Sequence, residues 1–281
     1  ISLNDNNRLK VISGKSDFNL TCISADEFPV LEDDIEEEFV EIPSYELLKL
    51  INKTKFSISN DETRHYLNGI YFDKKNDDNK LIAVATDGHR LSKSAIEIKN
   101  GENFQPVILP KKTVFELLSI IDEDSITIKI FATKSKVKFI YKDIVLISKV
   151  IDGKFPDYDK VIPQDERKPA KAKIEEFVAA LDRLKSLSSD RKGIVKILLN
   201  KNEFKFTIND AISGDGFEEL QANYDGEPIE IGFNSSYLID VASVLESKDI
   251  VLLLKDAISP ILIKDLNDSL STYIVMPMRV I

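Results

Sequence analysis

Apolar positions along this chain switch between a period of two and a period near 3.6, and the switches mark out a repeat. Residues 8–29 alternate as strand, turn and strand and close on Phe28-Pro29. Residues 134–156 do the same and close on Phe155-Pro156, and residues 257–277 close on Met276-Pro277, so similar endings recur one domain length apart. The openings recur as well. Residues 39–44 run into a helical pattern that puts Leu47, Leu48 and Ile51 on one face, and residues 170–173 run into one that carries Ile174, Phe177, Val178 and Leu181. Midway through each unit a short strand precedes a second helix. Residues 107–110 lead to Val114, Leu117, Leu118 and Ile121, and residues 229–233 to Leu238, Val241 and Leu245. The pattern predicts an α+β fold in which each complete unit packs two amphipathic helices on antiparallel sheet.

Three units follow, over residues 1–37, 38–163 and 164–281, with the acidic run 31–38 and the polar, proline-containing stretch 161–169 as linkers. The acidic run lacks the alternating spacing and central glycine of a calcium loop. The first unit is expected to hold only a final hairpin, residues 8–24, with nothing before it. Position 1 is not Met, and the repeat length predicts that roughly 90 to 100 residues precede this piece in an intact protein. Residues 1–30 are accordingly expected to be a poorly anchored stub. In the second unit, strand-like runs 81–86 and 89–98 flank Asp87-Gly88, which predicts a hairpin with a two-residue type I′ turn.

Composition narrows the function classes. A chain of 281 residues, 43% hydrophobic and 31% charged, reads as globular, and no apolar run approaches the ~20 residues that span a bilayer. The N-terminus has no signal-peptide pattern, and the single cysteine, Cys22, predicts a reduced, cytoplasmic setting. A net charge of −10 argues on average against nucleic acid, although an acidic protein can carry one basic lining.

Enzyme readings find little support. Gly14-Lys15-Ser16 resembles the end of a phosphate loop, but Leu9 stands where the first glycine is needed, so the stretch reads as a hairpin turn. There is no nucleophile elbow, dinucleotide fingerprint or Cys/His pair at zinc spacing. His89 with Asp87 or Asp157 would make an acid–base pair, yet no nucleophile accompanies it. No catalytic residue, metal or cofactor is expected.

A binding reading does better. Leu67, Thr86, Leu91, Pro156, Val161, Ile274, Met276, Pro277 and Met278 come from three separate stretches. Pro156, Pro277 and the two methionines belong to segments that should leave the sheet, because proline cannot donate to a ladder, and methionine adapts to varied partners.

Ala85-Thr86-Asp87-Gly88-His89-Arg90-Leu91, with Phe155-Pro156-Asp157-Tyr158 and the Met276-Pro277-Met278-Arg279 terminus, resembles the β subunits of bacterial DNA polymerase III, the sliding clamps, along the whole chain. The resemblance implies clamp-type domains, three per full-length chain, closing as a homodimer into a ring around double-stranded DNA without sequence preference. It implies a pocket between the second and third domains that takes Gln-Leu-x-Leu-Phe motifs. The matching positions are Leu67, Thr86, Gly88, His89, Arg90, Leu91, Pro156, Lys160, Val161, Tyr237, Ile258, Ile274, Met276, Pro277, Met278 and Arg279. Lys160 stands where the family commonly has Arg, and Pro260 where a small polar residue is usual.

Partners implied by the resemblance are the replicative polymerase, the clamp loader, translesion polymerases, ligase and mismatch-repair proteins, but no membrane. For DNA it points to the loop Arg64, His65, Tyr66 and to helix-borne Lys49, Lys53, Lys111, Lys112, Arg183 and Lys185, with Arg191 and Lys192 beyond. A chain without its first domain is expected to be monomeric. The rival reading is a protein-interaction scaffold that uses the same domains without DNA.

Overall fold

The computed structural model describes residues 1–4, 8–28, 39–75, 79–101, 104–122, 124–189 and 193–278. The chain forms two compact units, residues 1–36 and 37–281.

The first unit is a three-stranded antiparallel sheet of β1 (Ser2–Asn4), β2 (Arg8–Ser13) and β3 (Ser16–Thr21). Gly14-Lys15 is its hairpin turn, with Gly14 at φ +60°. The strand β1, which pairs Ser2 with Lys10, corrects the expectation of a hairpin with nothing before it. Ile1-Ser2-Leu3-Asn4 does alternate apolar and polar, but a run this short is below the length at which alternation signals a strand. None of the described residues of this unit is buried. Pro29 and the acidic linker 31–38 lie outside the described residues.

The second unit runs the same element order twice: strand, helix, four strands, helix, three strands. The first pass is β4 (Phe39–Pro43), α1 (Ser44–Asn52), β5 (Gly69–Asp73), β6 (Lys80–Thr86), β7 (Arg90–Glu97), β8 (Val107–Pro110), α2 (Lys111–Ile120), β9 (Thr127–Ala132), β10 (Lys136–Tyr141) and β11 (Ile144–Lys149). The second is β12 (Lys168–Lys173), α3 (Ile174–Lys185), β13 (Ile194–Asn200), β14 (Glu203–Asp210), β15 (Gly214–Gln221), β16 (Ile229–Asn234), α4 (Ser235–Ala242), β17 (Asp249–Leu254), β18 (Ile261–Lys264) and β19 (Thr272–Val275).

Each helix starts where a strand stops. Pro43 and Pro110 end their ladders because they lack an N–H, and both hold extended backbone immediately before α1 and α2. Asn234 caps α4 by accepting the Ser236 amide at 2.9 Å. Stretch 161–169 is not all linker: Pro169 lies within β12, which pairs with β17 and stands at the edge of its sheet, a place that tolerates proline.

Two buried clusters form the core. One gathers Leu47, Leu50, Val114, Leu117 and Phe139 beneath α1 and α2; the other gathers Phe177, Leu181, Phe206, Leu238 and Tyr273 beneath α3 and α4. They are joined by an eight-stranded sheet in the order β12-β17-β18-β19-β7-β6-β5-β8, whose central pairing sets Leu91 opposite Ile274 and Arg90 opposite Val275. Two four-stranded sheets, β11-β10-β9-β4 and β15-β14-β13-β16, complete the unit. Among the described residues no helix is long and apolar enough to cross a membrane.

Candidate functional site

A third apolar cluster, including Leu67, Leu91, Phe155, Tyr158 and Ile274, lies over the β7·β19 junction. Above it opens a cavity of about 230 Å³ lined by Arg64, Tyr66, Leu67, Thr86, Gly88, Arg90, Leu91, Phe155, Pro156, Tyr158, Val161, Ile274 and Met276. Strand alternation explains the set: Ile274 and Met276 are two residues apart and share a face, and Leu91 stands opposite Ile274 on the neighbouring strand.

The loop between β6 and β7 shapes one side of the cavity, and it corrects the predicted turn. The last β6·β7 pair is Thr86 opposite Leu91, which leaves four residues, 87–90, between the paired positions rather than two. Gly88 alone takes positive φ, at +89°, whereas a type I′ turn needs it at both central positions. The reason is Asp87. Its carboxylate accepts the His89 amide at 2.9 Å and the Arg90 amide at 3.0 Å, while Thr86 Oγ1 donates to the Arg90 carbonyl at 2.7 Å. The freed His89 carbonyl accepts the Met276 amide at 2.8 Å, which ties this loop to the segment after β19.

Arg90 is the most heavily bonded side chain at the site. Its guanidinium reaches Asp87 at 3.1 Å and Asp240 of α4 at 2.6 Å, donates to the Phe56 carbonyl, and lies 4.3 Å from the centroid of the Tyr237 ring. Arg64 donates to Asp61 at 2.9 Å and to the Asp87 carbonyl at 3.2 Å. Hydrogen bonds from Thr63 and then Arg64 lower the Asp61 carboxyl to about 2.

The far wall is the segment 155–161. Pro156 lies outside any strand, as its missing N–H predicts, and Phe155 stacks on Tyr71 with centroids 4.8 Å apart. Burial, followed by a hydrogen bond to Asp73, pushes the Tyr158 phenol well above its usual value.

Nine positions of the predicted pocket meet around the cavity: Leu67, Thr86, Gly88, Arg90, Leu91, Pro156, Val161, Ile274 and Met276. The others sit elsewhere. Tyr237 lies against Arg90, and His89 is exposed at the loop tip, contributing its carbonyl. Lys160 is 83% exposed and paired with Asp157 at 2.8 Å, and Ile258 is exposed. Pro277 and Met278 are half-buried past the cavity, where the Met278 amide donates to Gly232 at 2.8 Å. Arg279 lies outside the described residues.

The triplet Arg64, His65, Tyr66 is divided. Arg64 and Tyr66 line the cavity, whereas exposed His65 places Nε2 3.1 Å from the Asp152 carbonyl. Of the basic residues, Lys53 departs most from a solvated helix face: it is 4% exposed and packed between Glu246, at 2.7 Å, and Asp268. Lys49 also pairs with Glu246, at 3.0 Å, and Arg183 makes a two-pronged contact with Glu218 at 2.8 Å. Lys111 donates to Asn60 at 2.5 Å, Lys112 is exposed and Lys185 is half-buried. Arg191 and Lys192 lie outside the described residues.

Phe155 and Tyr158 were visible as part of a motif but not as lining. The clue was their place on either side of the strand-leaving Pro156.

A family model described as the DNA polymerase III beta subunit, central domain, matches residues 41–157, and one described as its C-terminal domain matches residues 159–279. A beta sliding clamp of Caulobacter vibrioides is 38% identical over 279 residues, covering 98% of this chain and 75% of that protein. The beta sliding clamp of Escherichia coli K12 is 33% identical over 272 residues, covering 97% and 74%. Among solved structures, the C. crescentus beta sliding clamp with bound PEG superposes with a TM-score of 0.92 at 37% identity, covering 98% of this chain and 75% of that one. A Bartonella birtlesii sliding clamp bound to griselimycin superposes with a TM-score of 0.92 at 36% identity, covering 99% and 76%.

Proposed function

Because this chain belongs to the family of bacterial DNA polymerase III beta subunits, the beta sliding clamps, we propose that the cavity over the β7·β19 junction docks the clamp-binding peptides of replication and repair proteins. The chain is a DNA sliding clamp, a processivity factor that tethers a polymerase to its template. Such a role needs no reacting group, so we read the chain as a non-catalytic accessory subunit that acts on DNA in the cytoplasm. The observation that carries the docking reading is the meeting of Leu67, Leu91, Pro156, Val161, Ile274 and Met276 around one cavity at the seam between the two repeats. Apolar anchors of a peptide buried there at ~25 cal/mol per Å² would give micromolar affinity after the costs of ordering.

For DNA, a sequence-independent and salt-sensitive contact is proposed through exposed Lys112, with Lys111 beside it at the start of α2 and Lys185 at the end of α3. Lys49, Lys53 and Arg183 are already committed to carboxylates and are poorer candidates.

Fluorescence anisotropy of a labelled Gln-Leu-Ser-Leu-Phe peptide tests the docking reading. The wild type is expected to bind in the micromolar range, and Leu91→Ala and Met276→Ala each to weaken binding roughly tenfold. Equal affinity in all three proteins would place the docking site elsewhere.

A further inference from the structure

We propose that Asp73 is a positioning residue for the docking cavity, acting through Tyr158 to hold the 155–161 wall in the shape a partner peptide meets; this rests on the docking reading above. The wall supplies Phe155, Pro156, Tyr158 and Val161 to the cavity, yet contains no strand and only one short helical turn, Tyr158–Lys160. A segment without ladder hydrogen bonds keeps its place through its side chains.

Tyr158 is 5% exposed, and its hydroxyl donates to Asp73 Oδ2 at 2.8 Å. Asp73 is the last residue of β5, a strand paired on one side with β6 and on the other with β8, so the acceptor sits on a rigid element. A phenol is protonated throughout the neutral range, so Tyr158 donates to Asp73 there. A bond from a neutral hydroxyl to a carboxylate is stronger than one between neutral groups.

Phe155 anchors the start of the wall by stacking on Tyr71, whereas the remaining ties around Tyr158 are weaker. Lys75 and Lys93 lie 5.4 and 5.2 Å from the Tyr158 ring centroid and both reach Asp159, which is 46% exposed, so these pairs are open to solvent and add little. Tyr71 meets the Tyr158 ring edge-on at 6.3 Å. Asp73 does not line the cavity, so any effect it has on a ligand passes through Tyr158. Without this tether, fewer chains present a set wall, and apparent affinity falls in proportion to that fraction.

The test measures binding of the labelled Gln-Leu-Ser-Leu-Phe peptide, together with thermal midpoints, for wild type, Asp73→Ala, Asp73→Asn, Tyr158→Phe and the double variant Asp73→Ala/Tyr158→Phe. Asp73→Ala and Tyr158→Phe should each weaken binding roughly tenfold, with midpoints close to wild type. The double variant should bind no worse than either single, because one bond is being removed twice. Asp73→Asn, which keeps an acceptor oxygen for the phenol, should restore most of the affinity. Wild-type affinity in both Asp73→Ala and Tyr158→Phe overturns this assignment alone, as do losses that add in the double variant. No binding by the folded wild type overturns the docking reading and this assignment with it.

Discussion

Replacing Lys53 by methionine is expected to lower the stability of the second unit by about 3 kcal/mol, read from the urea midpoint. Lys53 follows α1 in the first repeat, and its ammonium reaches Glu246 and Asp268 of the second. Asp268 is almost fully buried; besides Lys53 it accepts the Ser271 hydroxyl at 2.7 Å and the Leu270 amide at 2.9 Å. Burial alone would push its carboxyl up, but the bonds from Lys53, Ser271 and Leu270 outweigh it and hold the group below its usual range. Methionine keeps much of the lysine stem's volume and removes the charge, so the cost is that of a buried carboxylate without its cation.

Two further results separate charge from shape. Adding Asp268→Asn to Lys53→Met should recover more than half of the loss, since a neutral amide still accepts from Leu270. The wild-type advantage should also shrink in acid. A depressed carboxylate pKa adds stability above its unfolded value of about 3.9, and this is lost as pH falls through the folded value. A Lys53→Met penalty that stays constant from neutral pH down to pH ~3 would contradict the role given to this pair.

Arg90→Leu is expected to cost a similar amount, about 3 kcal/mol. Its side chain is 11% exposed and connects the β6–β7 loop through Asp87, the turn after α1 through the Phe56 carbonyl, and α4 through Asp240 and Tyr237. Lysine is a poor substitute. A single ammonium can neutralise Asp87 or Asp240, but it cannot also donate along the guanidinium plane to Phe56 while stacking on Tyr237. Arg90→Lys should therefore recover less than half of the stability lost in Arg90→Leu. Full recovery in urea denaturation would mean that charge alone, rather than the planar fork, is what the site requires.

Much of the architecture was readable because it depends on local pattern. Leu47, Leu48 and Ile51, or Phe177 and Leu181, fall on one helical face whatever surrounds them, and Pro43 and Pro110 stop their strands by lacking a donor. The joining of the two repeats was not readable in the same way. The pairing of β7 with β19 uses backbone groups far apart in the chain, and their apolar residues would suit any buried neighbour. Asp87-Gly88 misled because the Asp87 side chain competes for the amides that a two-residue turn would leave to the ladder. Lys49 and Lys53 share a helix face and read as a solvated row; only the packing of the second repeat against α1 turns Lys53 inward. At the cavity, Pro156 and Met276 were legible as residues leaving a strand. Arg64, Tyr66 and Tyr158 reach it through tertiary contacts that spacing does not encode.

The most direct test of the docking reading uses the two methionines of the chain as separate reporters. Met276 lines the cavity, whereas Met278 lies beyond it with its amide bonded to Gly232. With carbon-13 on the methionine methyls, and Met276→Leu to assign the signals, the Gln-Leu-Ser-Leu-Phe peptide is titrated into the folded chain. The Met276 methyl should shift and saturate at the affinity measured by anisotropy, with the Met278 methyl moving much less. A peptide that binds while the Met276 methyl stays in place would contradict docking in this cavity.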